Sequence, residues 1–194
     1  KKISRNHTEI FLNKISAGIK IKKLKKGNLI SLNGQKNLHA FNYTVNTDPS
    51  SVAFLVAITL LTPKAKLTIH KCLLNKTRLG FYKVLKEKAK AKIKIINIKK
   101  SKDSGEAVGT IVVKSSKLKP INCPKELVPS LIDELPILFV IAALTKGVSK
   151  FSSIDELANK ESSRALEMKK ILSIVGVACK NTKDTMIIYG RGDK

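Results

Sequence analysis

Residues 52–61, VAFLVAITLL, and residues 135–144, LPILFVIAAL, decide how this chain is organised. Each is an uncharged run about half as long as the roughly 20 residues that a bilayer-spanning helix needs, so both are expected as buried core helices. The same order of patterns repeats after each run. After the first come Thr62-Pro63, an alternating strand pattern at Lys66–His70, a loop reaching Asn75–Arg78, and a helix pattern with Leu79, Tyr82, Val84 and Leu85 inward. Two strand patterns then close the unit, Ala91–Ile98 and Thr110–Lys114. After the second run come the turn Thr145-Lys146-Gly147, a strand at Val148–Ser152, a loop over Asp155–Ser163, and a helix from Arg164 through Ile174. Strands at Val177–Lys180 and Thr185–Tyr189 complete the series. Leu61 and Leu144 lie 83 positions apart, and Arg78 and Arg164 lie 86 apart. A near-constant offset across two long patterns indicates duplicated α/β units.

The opening residues read as the second half of a further copy. Arg5 opens a helix through Ile15, and strands at Ile19–Lys23 and Asn28–Leu32 flank the turn Lys25-Lys26-Gly27-Asn28. The chain is therefore expected to begin in mid-unit and to stop at Tyr189 without a further helix, as a piece of something longer.

Composition narrows the function classes. The chain has 194 residues, 43% hydrophobic, which is enough for a packed core. Thirty-eight Lys and Arg against 14 Asp and Glu give a formal charge of +24, which first suggests a polyanion partner. Only four of those cations are Arg, aromatic residues make up 5%, and Trp is absent. Base reading and stacking depend on Arg and aromatic rings, so the lysines are expected as a solvated surface and nucleic acid is disfavoured as a partner. A non-catalytic basic module binding nucleic acid stays as the alternative from a different class. Cys72, Cys123 and Cys179 are widely spaced and form no C-x-x-C pair, which points to free buried thiols rather than disulfides or zinc. Lys1–Glu9 carries no apolar signal segment. A soluble, cytoplasmic chain is expected, with no membrane partner.

Candidate chemistry sits where loops meet helix starts. Ser4-Arg5-Asn6-His7-Thr8-Glu9 places a hydroxyl and a cation at a helix N-terminus, an arrangement suited to an anion, though an ordinary cap by Ser4 is the more economical reading. Asp48 precedes the first apolar run, and it or a nearby Ser is read as a cap. Asp133-Glu134 precede the second run, with Pro136 in the first turn. Adjacent side chains diverge, so one at most faces a given site, as a base or as a cap. Asn159-Lys160-Glu161-Ser162-Ser163-Arg164 combines two cations and a carboxylate. Lys160 and Arg164 share a face if the helix begins early, which would suit an anion with Glu161 moving a proton beside it; a solvated charge cluster is the competing reading.

Taken in order, these strings resemble the 5-enolpyruvylshikimate-3-phosphate synthase family along nearly the whole chain. The family's Ser-Arg-Asp-His-Thr-Glu stands here as Ser4–Glu9, with Asn6 for Asp. Its Gly-Asp-Pro-Ser-Ser-Ala-Ala-Phe is similar to Thr47–Phe54, and its Leu-Asn-Pro-Thr-Arg-Thr-Gly to Leu74–Gly80. Ser104–Gly109, Ser115–Lys119 and Leu131–Pro136 also match, and Lys-Glu-Ser-Asp-Arg matches Lys160–Arg164. The sister family acting on UDP-N-acetylglucosamine shares the fold but lacks that last string.

The resemblance implies an α/β fold of repeated βαβαββ units, the two-domain inside-out α/β barrel of enolpyruvyl transferases, incomplete here. Residues 1–45 would end one domain and residues 46–194 would form about two units of the other. It implies enolpyruvyl transfer from phosphoenolpyruvate to the 5-hydroxyl of shikimate 3-phosphate, releasing phosphate, a step of aromatic amino acid biosynthesis. No metal and no cofactor are implied, because cationic side chains balance the substrates' charge. Ser4 would contact shikimate 3-phosphate, with Arg5, His7 and Asp48 in support. Asp133 would orient and deprotonate the 5-hydroxyl, with Lys160 against it. Glu161 would handle the methylene proton, Arg164 would hold phosphoenolpyruvate, and Glu156 would line the shikimate site. A full-length monomer is implied.

Departures from the family pattern include Thr47 for Gly, Ala158 and Asn159 before the Lys-Glu pair, Ser163 for Asp, and Lys76 for Pro. The family's upstream Lys-Ser…Arg and later Asp-His-Arg segments have no counterpart. This stretch alone would then complete neither anion clamp, and a decayed copy is the third reading.

Overall fold

The computed structural model describes residues 5–154, 164–182 and 184–192. Helix α1 (His7–Lys14) leads into the antiparallel hairpin of β1 (Ile19–Leu24) and β2 (Gly27–Leu32). A segment without regular secondary structure then reaches Thr47, and α2 (Ala53–Leu61) is the first helix of the first full unit. Strand β3 (Lys66–Leu73), a 3-10 turn (Lys76–Arg78), α3 (Gly80–Glu87), β4 (Lys92–Lys100) and β5 (Ala107–Lys114) complete it. The second unit runs through β6 (Asn122–Cys123), 3-10 turns at Lys125–Ser130 and Ile132–Glu134, α4 (Leu135–Ala143) and β7 (Gly147–Ser152). It ends with α5 (Arg164–Ile174), β8 (Cys179–Asn181) and β9 (Thr185–Gly190).

The two units share one topology. In the second, β6 lies parallel to β7, and β9 pairs antiparallel with both β7 and β8, giving the order β6-β7-β9-β8. In the first, the order is β3-β5-β4 with both pairings antiparallel. The place of β6 is taken there by Thr47, which makes a parallel bridge to Cys72. Each unit is thus strand, helix, strand, helix, strand, strand. The segment α1-β1-β2 repeats the last three elements, as the sequence pattern predicts.

Two local features explain why the first sheet receives Thr47. The β3 and β4 registers slip opposite the same stretch of β5, between Ile69 and Cys72 and between Ile96 and Lys99. Lys71 and Asn97 sit in these bulges with φ of 51° and 52°. The bulge turns the Lys71 carbonyl outward, where it accepts from Thr47 N at 3.0 Å, and Leu73 N returns a bond to Thr47 O at 2.9 Å. Gly109 of β5 lies at this place. A Cβ there would come within 2.8 Å of Leu74 Cδ1 and 3.0 Å of Ile96 O, so the close approach needs glycine.

The apolar runs form the expected helices, but they are not equally buried. In α4, seven of nine residues are buried, Leu135, Ile137–Ala143 save Val140 among them. Helix α2 packs against α4 and the first sheet through Ala53, Val56, Ala57 and Leu60. Its opposite face leaves Phe54, Leu55 and Ile58 63%, 52% and 61% exposed. The expectation of a wholly buried first helix is corrected accordingly, because no element among the described residues covers that face. Thr62 ends α2 in an extended conformation, as the following Pro63 requires. Helix α3 buries Phe81 as well as the anticipated Tyr82, Val84 and Leu85, while Leu79 is half-buried. Phe139 and Phe151 meet edge to face at 5.0 Å between α4 and β7.

Candidate active site

Three chain segments meet in front of the second unit: the start of α1, the loop Asn75–Arg78 before α3, and the 3-10 turn Ile132–Glu134 before α4. Arg5 joins all three. Its Nη2 donates to Asp133 Oδ2 at 3.0 Å, and its Nη1 donates to the Thr77 carbonyl at 3.0 Å and the Pro129 carbonyl at 3.2 Å. Two backbone acceptors and a carboxylate fix the planar guanidinium in one orientation. Both partners of the ion pair are about a third exposed, 31% and 39%, so the pair matters here for placement more than for stability.

Behind it, His7 Nδ1 faces Glu106 at 3.0 Å and 3.2 Å to the two carboxylate oxygens. Asn75 Nδ2 donates to Glu106 Oε1 and, at 2.8 Å, to Asn6 Oδ1. The Asn75 side-chain oxygen accepts from Thr77 N at 2.9 Å and Thr77 Oγ1 at 2.7 Å, which shapes the loop that Arg5 grips. Asn6, standing where the related pattern has Asp, therefore keeps a partner as an acceptor.

The capping expectations at Asp133, Glu134 and Asp48 are overturned, and the one at Ser4 falls outside the described residues. Asn6 is the N-cap residue of α1 and makes no side-chain cap bond, and Ser4 lies outside the described residues. Neither Asp133 nor Glu134 caps α4 through its side chain. Asp133 turns outward to Arg5, and Glu134 turns inward and is 2% exposed, so the divergence of adjacent side chains holds as expected. Asp48 caps the turn ahead of α2 rather than the helix. Its carboxylate accepts from Ser50 N at 3.3 Å, Ser51 N at 3.0 Å and Ser51 Oγ at 2.7 Å, and Val52 is the helix N-cap.

Arg78 extends this network. Its Nη2 donates to Asp48 Oδ1 at 2.8 Å and to Ser50 Oγ at 2.5 Å. The Ser50 hydroxyl and the Arg78 charge both act on the Glu134 carboxyl. Tyr82 of α3 donates to the Pro49 carbonyl at 2.7 Å, which holds the same turn from below. Burial raises the Asp48 pKa, but the Ser51 hydroxyl, the Ser50 amide and the Arg78 charge outweigh it and leave it below the ordinary value. Glu134 goes the other way. Burial and the neighbouring Asp133 charge push it up, against the Ser50 hydroxyl and Arg78. Burial also pushes the Cys72 and Cys123 thiols up to about 12. All three cysteines are free, and Cys179 is half-buried rather than buried.

Thr47, in place of the related pattern's Gly, is pinned rather than loose, its Oγ1 donating to the His70 carbonyl at 3.0 Å. Arg164 is the first residue of α5, exposed, on a helix that packs against α4. Glu156, Lys160 and Glu161, with Ala158, Asn159 and Ser163, lie outside the described residues. The structure thus brings together Arg5, Asp133, His7 and Asp48. It adds Arg78, Ser50, Asn75 and Glu106, to which the sequence pattern assigns no catalytic or binding role, and it turns Glu134, read as a base or a cap, inward. Their signal is present as matched strings around Asn75–Arg78, Ser104–Gly109 and Leu131–Pro136, but each pairing spans too many residues to be seen from spacing.

The family model for EPSP synthase (3-phosphoshikimate 1-carboxyvinyltransferase) matches residues 1–193. A 3-phosphoshikimate 1-carboxyvinyltransferase of Bartonella quintana is 40% identical over 190 residues, which are 97% of this chain and 42% of the relative. One of Zymomonas mobilis is 37% identical over 187 residues, 96% of this chain and 41% of the relative. Among solved structures, an EPSP synthase from Acinetobacter baumannii superposes with a TM-score of 0.86 at 34% identity, covering 99% of this chain and 42% of that one. The chain spans about 42% of the length of such relatives. Among the described residues, no helix is long and apolar enough to cross a membrane.

Proposed function

The chain belongs to the EPSP synthase family, and on that premise we propose that the protein transfers the enolpyruvyl group of phosphoenolpyruvate to the 5-hydroxyl of shikimate 3-phosphate. Residues 1–45 serve as the end of one lobe and residues 46–194 as two βαβαββ units of the other, with the substrates between them. The observation that carries the reading is the Arg5–Asp133 pair at 3.0 Å, which joins a residue of the first stretch to one of the second, 128 positions away. A cleft between lobes needs such a point of contact. It sets a cation that suits a phosphate beside a carboxylate that suits a hydroxyl.

The chemistry assigns roles in order. Ser4 and Arg5, supported by His7, receive the anionic shikimate 3-phosphate, with Glu156 and Lys160 along the same site. Asp133 accepts the proton of the 5-hydroxyl as its oxygen adds to the enol carbon of phosphoenolpyruvate. Glu161 delivers a proton to the methylene carbon, giving a tetrahedral intermediate that still carries the phosphate. Glu161 then takes a methyl proton back as the C–O bond to phosphate breaks, which restores the double bond and releases inorganic phosphate. Arg164 holds the phosphoenolpyruvate anion throughout. Asp133 suits a base because its environment is polar and half-open, whereas Glu134 beside it is shut away. A reaction among soluble anions fits a cytoplasmic protein.

The test is release of inorganic phosphate by the full-length protein. Phosphate release that requires both shikimate 3-phosphate and phosphoenolpyruvate supports the reading. A folded protein that releases none with both present contradicts it.

A further inference from the structure

Arg5 reaches the loop before α3 at the Thr77 carbonyl, and the side chain that shapes this loop is Asn75. The Asn75 oxygen accepts from Thr77 N at 2.9 Å and from Thr77 Oγ1 at 2.7 Å. That is the usual way for a short polar residue to start a turn, and Asp or Ser would serve as well. The nitrogen does something the turn does not need. It donates to Asn6 Oδ1 at 2.8 Å and to Glu106 Oε1, 69 and 31 positions away. Glu106 in turn faces His7 Nδ1 at 3.0 Å.

Asn75 is 8% exposed, and both its amide hydrogens and both its oxygen lone pairs are matched. The Thr77 N–H can only donate, so the oxygen lies on that side and the nitrogen on the other. A buried amide that uses its whole bonding capacity across three chain segments specifies one arrangement of them, because each unmet group would be costly. We propose that Asn75 is a positioning residue for Arg5. Its oxygen sets the carbonyl that receives the guanidinium, and its nitrogen holds Asn6, the next residue after Arg5, and through Glu106 also His7. One side chain of the second stretch thereby fixes Arg5 at its main chain and at its tip. Arg5 meets an anion already aimed, which leaves little ordering to be done on binding.

This rests on reading Arg5 as a group that receives shikimate 3-phosphate, and the test separates the two ideas. The full-length protein is prepared as Asn75→Ala, Asn75→Asp and Asn6→Ala, each studied by crystallography and by steady-state kinetics with shikimate 3-phosphate and phosphoenolpyruvate. Asn75→Ala is expected to move Arg5 off the Thr77 carbonyl. It should raise the KM for shikimate 3-phosphate about 10- to 100-fold, the worth of a hydrogen bond to a charged group, and change the KM for phosphoenolpyruvate much less. Asn75→Asp keeps the acceptor for Thr77 and loses both donors, so the same outcome from it assigns the effect to the nitrogen and not to the turn. In an Arg5→Ala background, Asn75→Ala should bring no further rise in that KM, whereas a general structural role would add its own. The proposal is overturned if Arg5 stays on the Thr77 carbonyl in both Asn75 variants, with the KM within about twofold. Should neither variant fold, Asn6→Ala, which removes the bond to Asn75, decides: a displaced Arg5 with a rise of about 3- to 10-fold supports the proposal, and an unmoved Arg5 overturns it. If Arg5 moves without a change in KM, or if the unmodified protein shows no turnover, the functional reading of Arg5 fails, while the position of Arg5 in the crystals still decides for or against Asn75.

Discussion

Two adjacent carboxylates carry opposite work because one degree of freedom separates them: the side chain that leaves the 3-10 turn outward is 39% exposed, and the one that leaves inward is 2% exposed. Replacing Asp133 by Asn keeps its shape and removes its basicity. The expected loss is about 10²- to 10⁴-fold in kcat, the range of a positioned general base, with a much smaller change in KM. Replacing Arg164 by Ala should instead raise the KM for phosphoenolpyruvate by about 10- to 100-fold, the worth of a hydrogen bond to a charged group. Steady-state kinetics on the full-length protein separates these outcomes, and equal effects on both parameters in both variants would reject the roles. The cysteines give an independent check on burial. Cys72 and Cys123, pushed up to about 12 by burial, should resist an aromatic disulfide reagent near pH 8. Cys179 should react first, as read by mass spectrometry, and early labelling of Cys72 would place it elsewhere than in the core.

At the scale of elements, most of the fold is legible from the chain because its signals are local. Arg164–Ile174 is helical over the span that its pattern gives, and both apolar runs, the β1–β2 hairpin and the paired closing strands fall within a few residues of expectation. The illegible part is long-range. Helix capping looks identical in sequence to a carboxylate waiting for an ion pair, so Asp133 and Asp48 could be read either way until Arg5 and Arg78 are seen 128 and 30 positions from them. The exposed side of α2 is hidden for the same reason, since an all-apolar run does not say which face its neighbours cover. The buried network makes a prediction at this scale. Glu134 has a raised pKa in the folded protein, so the native state holds its proton longer than the unfolded chain does. Its contribution to stability is present below the ordinary glutamate value of 4.5 and fades as pH rises through its folded pKa. Glu134→Gln does not lose that proton, so the variant should gain on the unmodified protein as pH rises above 4.5. Thermal unfolding across that range checks it, and a constant difference would contradict the assignment. Asp48, with a lowered pKa, acts in the opposite sense, giving stability that is lost as pH falls below the ordinary aspartate range.

For the whole molecule, duplication sets the plan: two units of one topology pack their apolar helices together, and a third, partial copy supplies Arg5 and His7 to the site. The uncovered face of α2, with Phe54, Leu55 and Ile58, marks where that plan continues. In relatives more than half of the length lies outside the part that this chain matches. We expect a further unit of the same kind to cover this face. Ile58→Asp in the full-length protein should then destabilise by about 2–3 kcal/mol, as burial of a large apolar side chain would require, and not by the few tenths typical of an exposed site. Denaturant unfolding reads the difference. The charge of +24 belongs to the same scale, spread mainly over lysines whose hydrated ammonium groups suit a solvated surface. The central claim is that Asp133 meets the hydroxyl that reacts, and a crystal structure of the full-length protein with shikimate 3-phosphate tests it most directly. The Asp133 carboxylate is expected at hydrogen-bond distance, about 2.6–3.2 Å, from the 5-hydroxyl. A 5-hydroxyl bound by other groups, with Asp133 still turned to Arg5 and away from the ligand, would contradict it.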